Sequence, residues 1–268
     1  MGVQDTVRSH YSRSGLAGVV LEAVAATGAD LEHLTPADLG SVDQLHLGGA
    51  AATQHLLAQL DLGPATPLID VGGGLGGPAR MAAALAGCPV ISVDLSPDFV
   101  RAATTLTAQV GLADLVQHVV SSADALDAGP GTFQRAMMVH VGMNLPDKAA
   151  VFAEVRRVLA EDALFGLFEQ VRTGAGDLTY PLPWADDPSS SFVENLATLT
   201  STLEAAGFVV EHVEDCTDAV PEPRGAGAAP TLNPATVFGP PFAERLRNDV
   251  AAIRAGSLAP VLVLARAV

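Results

Sequence analysis

The spacing of hydrophobic residues along the chain changes near Pro67. Before it, apolar residues recur at helical spacing over residues 14–27 and 48–60, which predicts two amphipathic helices. After it, short apolar runs alternate with amphipathic segments, a pattern typical of strands and helices in turn. The predicted strands cover residues 67–71, 89–94, 115–120, 133–141 and 163–171, and the helices that accompany them cover residues 76–86, 97–110 and 147–159.

The alternation over residues 67–171 predicts a doubly wound parallel sheet. It stops at a polar, Pro-rich stretch over residues 172–190, which we interpret as an insertion. The remaining elements are predicted at residues 191–206 (helix), 207–215 (strand), 219–239 (loop), 240–255 (helix) and 259–268 (strand). The last two strands favour an antiparallel pair. We therefore expect an α/β, Rossmann-like doubly wound sheet of seven strands, with a helical cap at residues 1–62 and a core at residues 63–268 in a single domain overall.

The amino-acid composition indicates which classes of molecule the protein binds. The chain of 268 residues is 49% hydrophobic and 16% charged, with a formal net charge of −16. An acidic chain disfavours a nucleic-acid surface or an anionic membrane surface. The scarcity of basic residues favours a small, neutral or apolar substrate over a phosphate.

The cysteines and the chain start indicate the compartment. Cys88 and Cys216 lie far apart in the sequence, which favours two buried, reduced thiols over a disulfide framework. No set of His, Cys and carboxylate residues has metal-ligand spacing, so we predict no required metal. The first residues lack the layout of a signal peptide, and no uncharged apolar run reaches the roughly 18 residues of a membrane span. We expect a cytoplasmic protein.

A glycine-rich turn carries the clearest chemical signal. In LIDVGGGLGG, residues 68–77, a strand ends in glycines before a helix begins. Gly72, Gly74 and Gly76 lack the Cβ atoms that would keep a ligand from backbone N–H groups and the helix N-terminus. Asp94 ends the next strand, where a carboxylate accepts hydrogen bonds from a ribose diol. Nicotinamide cofactors and S-adenosylmethionine both fit this pattern, and a purely structural turn is the third interpretation.

Later features favour S-adenosylmethionine over a nicotinamide cofactor. Asp124, in SSADAL, follows the third strand, where an acid accepts from the exocyclic amine of adenine; the alternative is a plain loop carboxylate. The chain shows no Tyr-x-x-x-Lys dehydrogenase pair. The antiparallel end of the predicted sheet also differs from a sixth parallel repeat.

Several segments together resemble the class I S-adenosylmethionine-dependent methyltransferases, in the small-molecule branch of sarcosine/dimethylglycine, tocopherol-type and natural-product enzymes. The segments are DVGGGLGGPAR, VDLSPDFV, SADAL, HVGMNLPDKAAVFAEVRRVL, VDQLHLGGAAAT and YPLPWADDPSSSF. They extend over nearly the whole chain. VDQLHLGGAAAT resembles a segment that closes over the cofactor, and YPLPWADDPSSSF resembles a variable substrate-side insertion. One departure is LAEDALF, where the family usually has a glycine pair before the fifth strand.

The resemblance implies a set of cofactor contacts. Gly72, Gly74 and Gly76 would line the methionine and ribose side. The remaining implied contacts are Asp94, Leu95 and Ser96 on ribose and adenine, Asp124 and Ala125 beside adenine, and His140 at the mouth of the site.

Two histidines are the candidate catalytic groups. His140 ends the fourth strand, where a neutral imidazole would deprotonate an acceptor or merely pack on the cofactor. His46 would face the substrate as a base or anchor the closing segment through a hydrogen bond. Asn144 is expected to cap the helix that begins near Pro146, with a cofactor contact as the alternative. Trp184, with Tyr180, would stack on a substrate or pin the insertion to the core.

The expected activity is therefore methyl transfer from S-adenosylmethionine to a small, neutral or apolar molecule in natural-product biosynthesis, with S-adenosylhomocysteine as product. Oxygen is the favoured acceptor, and nitrogen and carbon remain open. A first alternative is an S-adenosylmethionine-binding cyclase or rearrangement enzyme that does not methylate. A nicotinamide-dependent oxidoreductase and a non-catalytic binding protein are the others. We expect a monomer or a homodimer.

Overall fold

The strand predicted at residues 67–71 lies inside a seven-stranded sheet. The computed structural model describes residues 15–220 and 238–268; residues 1–14 of the predicted cap and residues 221–237 of the predicted loop lie outside this part. The strands are β1 (Leu68–Val71), β2 (Val90–Asp94), β3 (Val116–Val120), β4 (Phe133–Val139), β5 (Leu159–Arg172), β6 (Phe208–Asp215) and β7 (Leu258–Ala267). Their order across the sheet is β3-β2-β1-β4-β5-β7-β6.

The first five strands are parallel, and β7 runs antiparallel to both β5 and β6. The predicted Rossmann-like sheet and its antiparallel end are therefore confirmed. The chain winds outward from β1 to β3 and then crosses back to β4. Open α/β sheets form their ligand crevice at such a reversal, outside the carboxyl ends of the strands.

Helices cover both faces of the sheet because alternate strand residues bury into different cores. Leu68 and Met137 belong to one buried cluster, and Ile69 and Met138 belong to another. The α-helices are α1 (Leu16–Ala25), α2 (Pro36–Leu39), α3 (Gly49–Ala58), α4 (Gly77–Ala86), α5 (Pro97–Gln109), α6 (Lys148–Val158), α7 (Leu196–Ala205) and α8 (Pro240–Arg254). The first of them packs on α5 through a third apolar cluster.

Two predicted boundaries shift in the structure. Strand β5 begins at Leu159, directly after α6, rather than at residue 163. Asp162 takes the turn within LAEDALF with φ of 61°, a conformation that glycine adopts more readily. Helix α7 begins at Leu196 rather than at residue 191, because Asn195 caps it by accepting a hydrogen bond from the Thr198 N–H at 2.9 Å.

The predicted cap of the helix after β4 is wrong. Asp147, not Asn144, accepts the hydrogen bond from the Ala150 N–H, at 2.9 Å. Asn144 instead ends a short 3₁₀ turn.

The described residues also bear on the thiols, metals and membranes. Cys88 and Cys216 are both buried and free, as predicted. Residues 15–220 and 238–268 contain no group of three or more His, Cys, Asp or Glu arranged to hold a metal ion. Within the same ranges, every helix is too short or too polar to cross a bilayer.

Candidate active site

A cavity of about 190 Å³ opens at the carboxyl ends of β1, β2 and β4, where the strand order reverses. Its wall combines the glycine turn, the end of β2, the turns after β3 and β4 and part of the segment before α3. Of the residues singled out from the sequence, the wall includes Gly72, Gly74, Asp94, Leu95, Asp124, His46 and His140. The fold therefore gathers candidates from five separate segments at one place.

The glycine turn is shaped by close packing beneath it. Gly72 has a φ of 78°, and a Cβ atom there would lie 2.4 Å from a Val141 methyl group. The N–H groups of Gly72 and Gly73 both donate to the Val93 carbonyl, at 2.8 and 3.0 Å. The turn thus touches β2 below and the turn after β4 beside it. Only a residue without a side chain fits between them at position 72.

Asp94 joins the glycine turn to the start of α5. One carboxylate oxygen accepts from the Gly74 N–H at 2.9 Å, and the other accepts from the Ser96 N–H at 2.8 Å. Burial raises the pKa of Asp94, while these two hydrogen bonds oppose the rise. Each oxygen keeps acceptor capacity for a further donor.

Three of the predicted contacts do not line this cavity in the described structure. Gly76 lies away from it, since a Cβ atom there would meet His118 at 2.5 Å. Ser96 is buried as the cap of α5. Ala125 donates its N–H to the Ser122 carbonyl at 3.1 Å within the turn after β3. These three residues support the turns that form the cavity.

The two candidate histidines and Phe168 form one aromatic cluster. The His46 and His140 ring centroids are 5.6 Å apart, and they lie 6.0 and 5.2 Å from that of Phe168. Both ring nitrogens of His46 have partners: Nδ1 is 3.0 Å from the Leu47 carbonyl and Nε2 is 2.9 Å from the Thr53 hydroxyl. Burial lowers the pKa of His46 to about 4. This geometry favours the anchoring role of His46.

His140 differs from His46 in having a ring nitrogen without a hydrogen-bond partner. Its Nε2 is buried and has no hydrogen-bond partner in the part of the chain that the structure describes. Burial, with a smaller contribution from His46, holds the pKa of His140 well below its usual value, so the imidazole is neutral. Its backbone has φ of 54°, and its N–H donates to the Phe168 carbonyl at 2.7 Å.

Two buried acids at the cavity were missed in the sequence. Asp43 accepts from the Arg80 guanidinium at 2.7 Å, and Arg80 also donates to the Leu75 carbonyl at 2.6 Å. This pair ties the segment before α3 to the glycine turn. Asp70 lies below that turn and accepts from the Ser92 hydroxyl at 3.1 Å. Asp70 ends the first strand, so its position was a usable signal, whereas Asp43 carries no local signal for a partner 37 residues away.

The aromatic residues of the insertion lie outside the wall of the described cavity. Trp184 is buried and donates from Nε1 to the Ser191 hydroxyl at 2.9 Å. It packs in one apolar cluster with Met143, and Tyr180 lies at the edge of that cluster. Neither aromatic residue lines the described cavity. The structure favours Trp184 as the residue that pins the insertion to the core.

Comparison with known proteins finds similarity to methyltransferases. Residues 69–167 match the family model described as "Methyltransferase domain". The sterol 24-C-methyltransferase of Yarrowia lipolytica is 26% identical over 174 residues, which cover 62% of this chain and 45% of that protein. The chain spans about half the length of the curated relatives it matches.

Two solved structures share the fold of this chain. Geranyl diphosphate C-methyltransferase from Streptomyces coelicolor A3(2), solved with Mg²⁺, geranyl-S-thiolodiphosphate and S-adenosyl-L-homocysteine, gives a TM-score of 0.71 at 16% identity. That alignment covers 100% of this chain and 99% of the other. The [4+2]-cyclase SpnF gives a TM-score of 0.65 at 21% identity, covering 94% and 92% of the two chains.

Proposed function

We propose that this protein is a class I S-adenosylmethionine-dependent methyltransferase that transfers a methyl group to a small, neutral or apolar molecule. The match of residues 69–167 to a methyltransferase-domain model supports this proposal. The observation that carries the proposal is one continuous cavity. Asp94 and Asp124 lie in its wall together with His140, so groups suited to an adenosine and a group suited to proton transfer share one space.

The cavity fits the proposed cofactor in shape and in hydrogen bonding. Gly72 and Gly74 form a backbone cradle that side chains would fill, and the α4 N-terminus follows it. Asp94 would hold the ribose diol, Leu95 would pack on adenine and Asp124 would accept from its amine. Oδ1 of Asp43 is buried without a partner among the described residues, and it is available to a cationic amino group.

The charge of the wall favours a neutral acceptor. The charged residues among those that line the described cavity are all aspartates: Asp43, Asp70, Asp94, Asp124 and Asp147. Arg and Lys are absent from that wall, so a diphosphate bound without a metal ion would find no cationic side chain there. An acidic wall is favourable for a sulfonium cation and unfavourable for an anionic acceptor.

His140 would serve the acceptor atom. When bound, S-adenosylmethionine supplies an electrophilic methyl group on sulfur. The unpartnered Nε2 of His140 would take the proton of an acceptor hydroxyl, and the cavity would exclude water. A neutral imidazole with a low pKa is a weak base, so the proton would leave as the new bond forms. Because a hydroxyl must lose its proton on methylation, we place oxygen first among acceptors, with nitrogen and carbon open. Natural-product biosynthesis, a cytoplasmic location and a monomeric or dimeric state remain predictions.

Calorimetry with S-adenosylmethionine and with S-adenosylhomocysteine tests the cofactor. We expect micromolar binding, and we expect Asp94→Ala to weaken it by about 1–3 kcal/mol because charge-assisted hydrogen bonds are lost. Asp114→Ala, which removes an exposed acid in the turn before β3, is the matched control and should bind as the wild type does. Absence of binding by protein shown by mass spectrometry to carry no copurified cofactor would overturn the proposal.

A second candidate function is that of a cyclase that binds S-adenosylmethionine without transferring its methyl group. The likeness to a [4+2]-cyclase favours it, at the level of the fold. Incubation with pools of phenols, alcohols and amines distinguishes the two candidates, since methyl transfer yields products heavier by one CH₂ together with S-adenosylhomocysteine. Cofactor binding without any such product would favour the cyclase. The nicotinamide alternative loses support from the domain match and would predict binding of NAD(H) or NADP(H) instead.

A further inference from the structure

Glu169 is a buried acid outside the cavity wall described above. It lies on β5, its side chain is 1% exposed, and one carboxylate oxygen accepts two backbone hydrogen bonds. The donors are the N–H groups of Val141, at 3.0 Å, and Gly142, at 2.9 Å. An oxygen that accepts two backbone N–H groups fixes the direction of both peptide units.

Those peptide units belong to the turn that presents His140. The His140 N–H donates to the Phe168 carbonyl, so three successive N–H groups, of residues 140 to 142, are held by adjacent residues of β5. His140 itself has φ of 54°, a conformation that few residues with a large side chain adopt. The hydrogen bonds that these N–H groups donate to β5 therefore hold the turn that carries the imidazole.

The second carboxylate oxygen of Glu169 does not bond to the turn. It has no partner among the described residues, and the carboxylate borders a cavity of about 10 Å³, room for roughly one water molecule. The charged groups that border this cavity with it are Lys148 of α6 and Glu194 before α7. His140 directly precedes Val141, from whose N–H the other oxygen of Glu169 accepts a hydrogen bond. Lys148 donates to the Phe192 and Leu145 carbonyls and lies 3.5 Å from Glu194.

We propose that Glu169 is a positioning residue for His140: its ionised carboxylate fixes the turn at residues 140–142, its protonation loosens that turn, and turnover falls as the solution becomes more acidic. The inference rests on the proposed function for its effect on turnover. The effect on the turn does not depend on that function.

The titration of Glu169 falls in the neutral range. Burial raises its pKa to about 7, against the opposing hydrogen bonds from Gly142 and Val141 and the charge of Lys148. Above that value the carboxylate makes charge-assisted hydrogen bonds, and below it the neutral acid is a weaker acceptor. His140 cannot produce this change because its pKa lies far lower. Asp70 and Asp249 have pKa values raised to about 7 as well, so only a variant of Glu169 isolates its contribution.

The first experiment compares kcat and KM from about pH 5.5 to 9 in three proteins. In the wild type, kcat should fall below about pH 7 with little change in KM. In Glu169→Gln the side chain keeps an acceptor and never ionises, so this acidic limb should disappear, with kcat at high pH roughly threefold to thirtyfold below the wild type. Glu161→Gln, an exposed change on the same strand, should follow the wild type. An acidic limb that persists unchanged in Glu169→Gln overturns the proposal.

The second experiment reads the turn directly, by hydrogen exchange of the backbone amides at residues 140–144, corrected for the intrinsic effect of pH. Wild-type protection at Val141 and Gly142 should weaken below about pH 7, and in Glu169→Gln it should be independent of pH. Equal pH dependence in both proteins would refute the role of Glu169. If neither protein binds S-adenosylmethionine, the proposed function fails while this measurement still decides the role of Glu169.

Discussion

His46 and His140 lie side by side, yet their nitrogen atoms have different surroundings. The ring of His46 bridges the Leu47 carbonyl and the Thr53 hydroxyl, so it holds the segment before α3 against that helix. The Nε2 of His140 lacks a partner among the described residues, and the His140 residue lines the cavity. A buried acceptor or donor without a partner costs stability, and such groups are found where a ligand completes the bonding.

Replacing His140 therefore separates its two interpretations. We expect His140→Asn to lower kcat by about 10²–10⁴-fold, the usual contribution of a general base, while the Kd for S-adenosylhomocysteine changes far less. Asparagine suits the test because it tolerates the positive φ of this position. His33→Asn, at an exposed site, should change neither quantity. Equal losses in kcat and in cofactor binding would show that His140 only packs.

Among the elements, the turn between β1 and α4 combines a sequence signal with a packing constraint. The glycine run predicted a close approach of the backbone to a ligand. The structure adds a second reason for Gly73, which has an ordinary φ: a Cβ atom there would lie 1.9 Å from the Ser92 hydroxyl and 2.5 Å from the Asp70 carboxylate. This turn therefore sits directly on a buried hydrogen bond between β1 and β2.

A methyl group at this turn should be costly. We expect Gly73→Ala to lower the free energy of unfolding by about 1–3 kcal/mol through overpacking, and to weaken cofactor binding. Gly18→Ala is the matched control, because a Cβ atom there meets nothing within 4 Å and the residue lies within α1. It should stabilise the protein by about 0.5–1 kcal/mol. Urea unfolding of the three proteins measures both effects, and a neutral Gly73→Ala would contradict the described packing.

Local signals explain which elements were predictable. The strands, the helices around them and Asp94 were found because periodicity, capping and strand ends are encoded within a few residues. Glu169 was not found, since its partners Val141 and Gly142 are 28 and 27 residues away and it sits in an apolar strand that gives no sign of them. Asn144 was wrongly chosen as a helix cap because Asp147, three residues on, offers an equally good acceptor.

On the scale of the whole molecule, several carboxyl groups are buried, and for them the cost of burying a charge outweighs the effect of any cation nearby. Burial raises the pKa values of Asp70, Glu169 and Asp249 to about 7. In the unfolded chain such groups titrate near pH 4. The folded protein therefore holds these protons to a higher pH than the unfolded chain does. Their contribution to stability is complete below about pH 4 and is lost as the pH rises through 7.

The free energy of unfolding should accordingly decrease from pH 6.5 to pH 8.5. Each group contributes roughly 1–4 kcal/mol over its full range. The buried histidines, with pKa values below 6.5, oppose this trend only at lower pH. Asp249→Asn should flatten the decrease, because among residues 15–220 and 238–268 the only side-chain hydrogen bonds of Asp249 are with Gln170, at 3.4 and 3.5 Å. Asp114→Asn should leave it unchanged, and a wild-type stability that rises over this interval would contradict the argument.

The contact between Gly72 and Val141 has a consequence for redesign. Gly72 belongs to the glycine turn and Val141 to the neighbouring turn after β4, and a Cβ atom on the former would lie only 2.4 Å from a methyl group of the latter. A larger side chain at position 141 therefore presses on the backbone of the glycine turn as well. Under the proposed function, a change at position 141 that alters the acceptor range should also alter cofactor affinity. Libraries that vary the two turns together are therefore better suited to redesign than libraries that vary either turn alone.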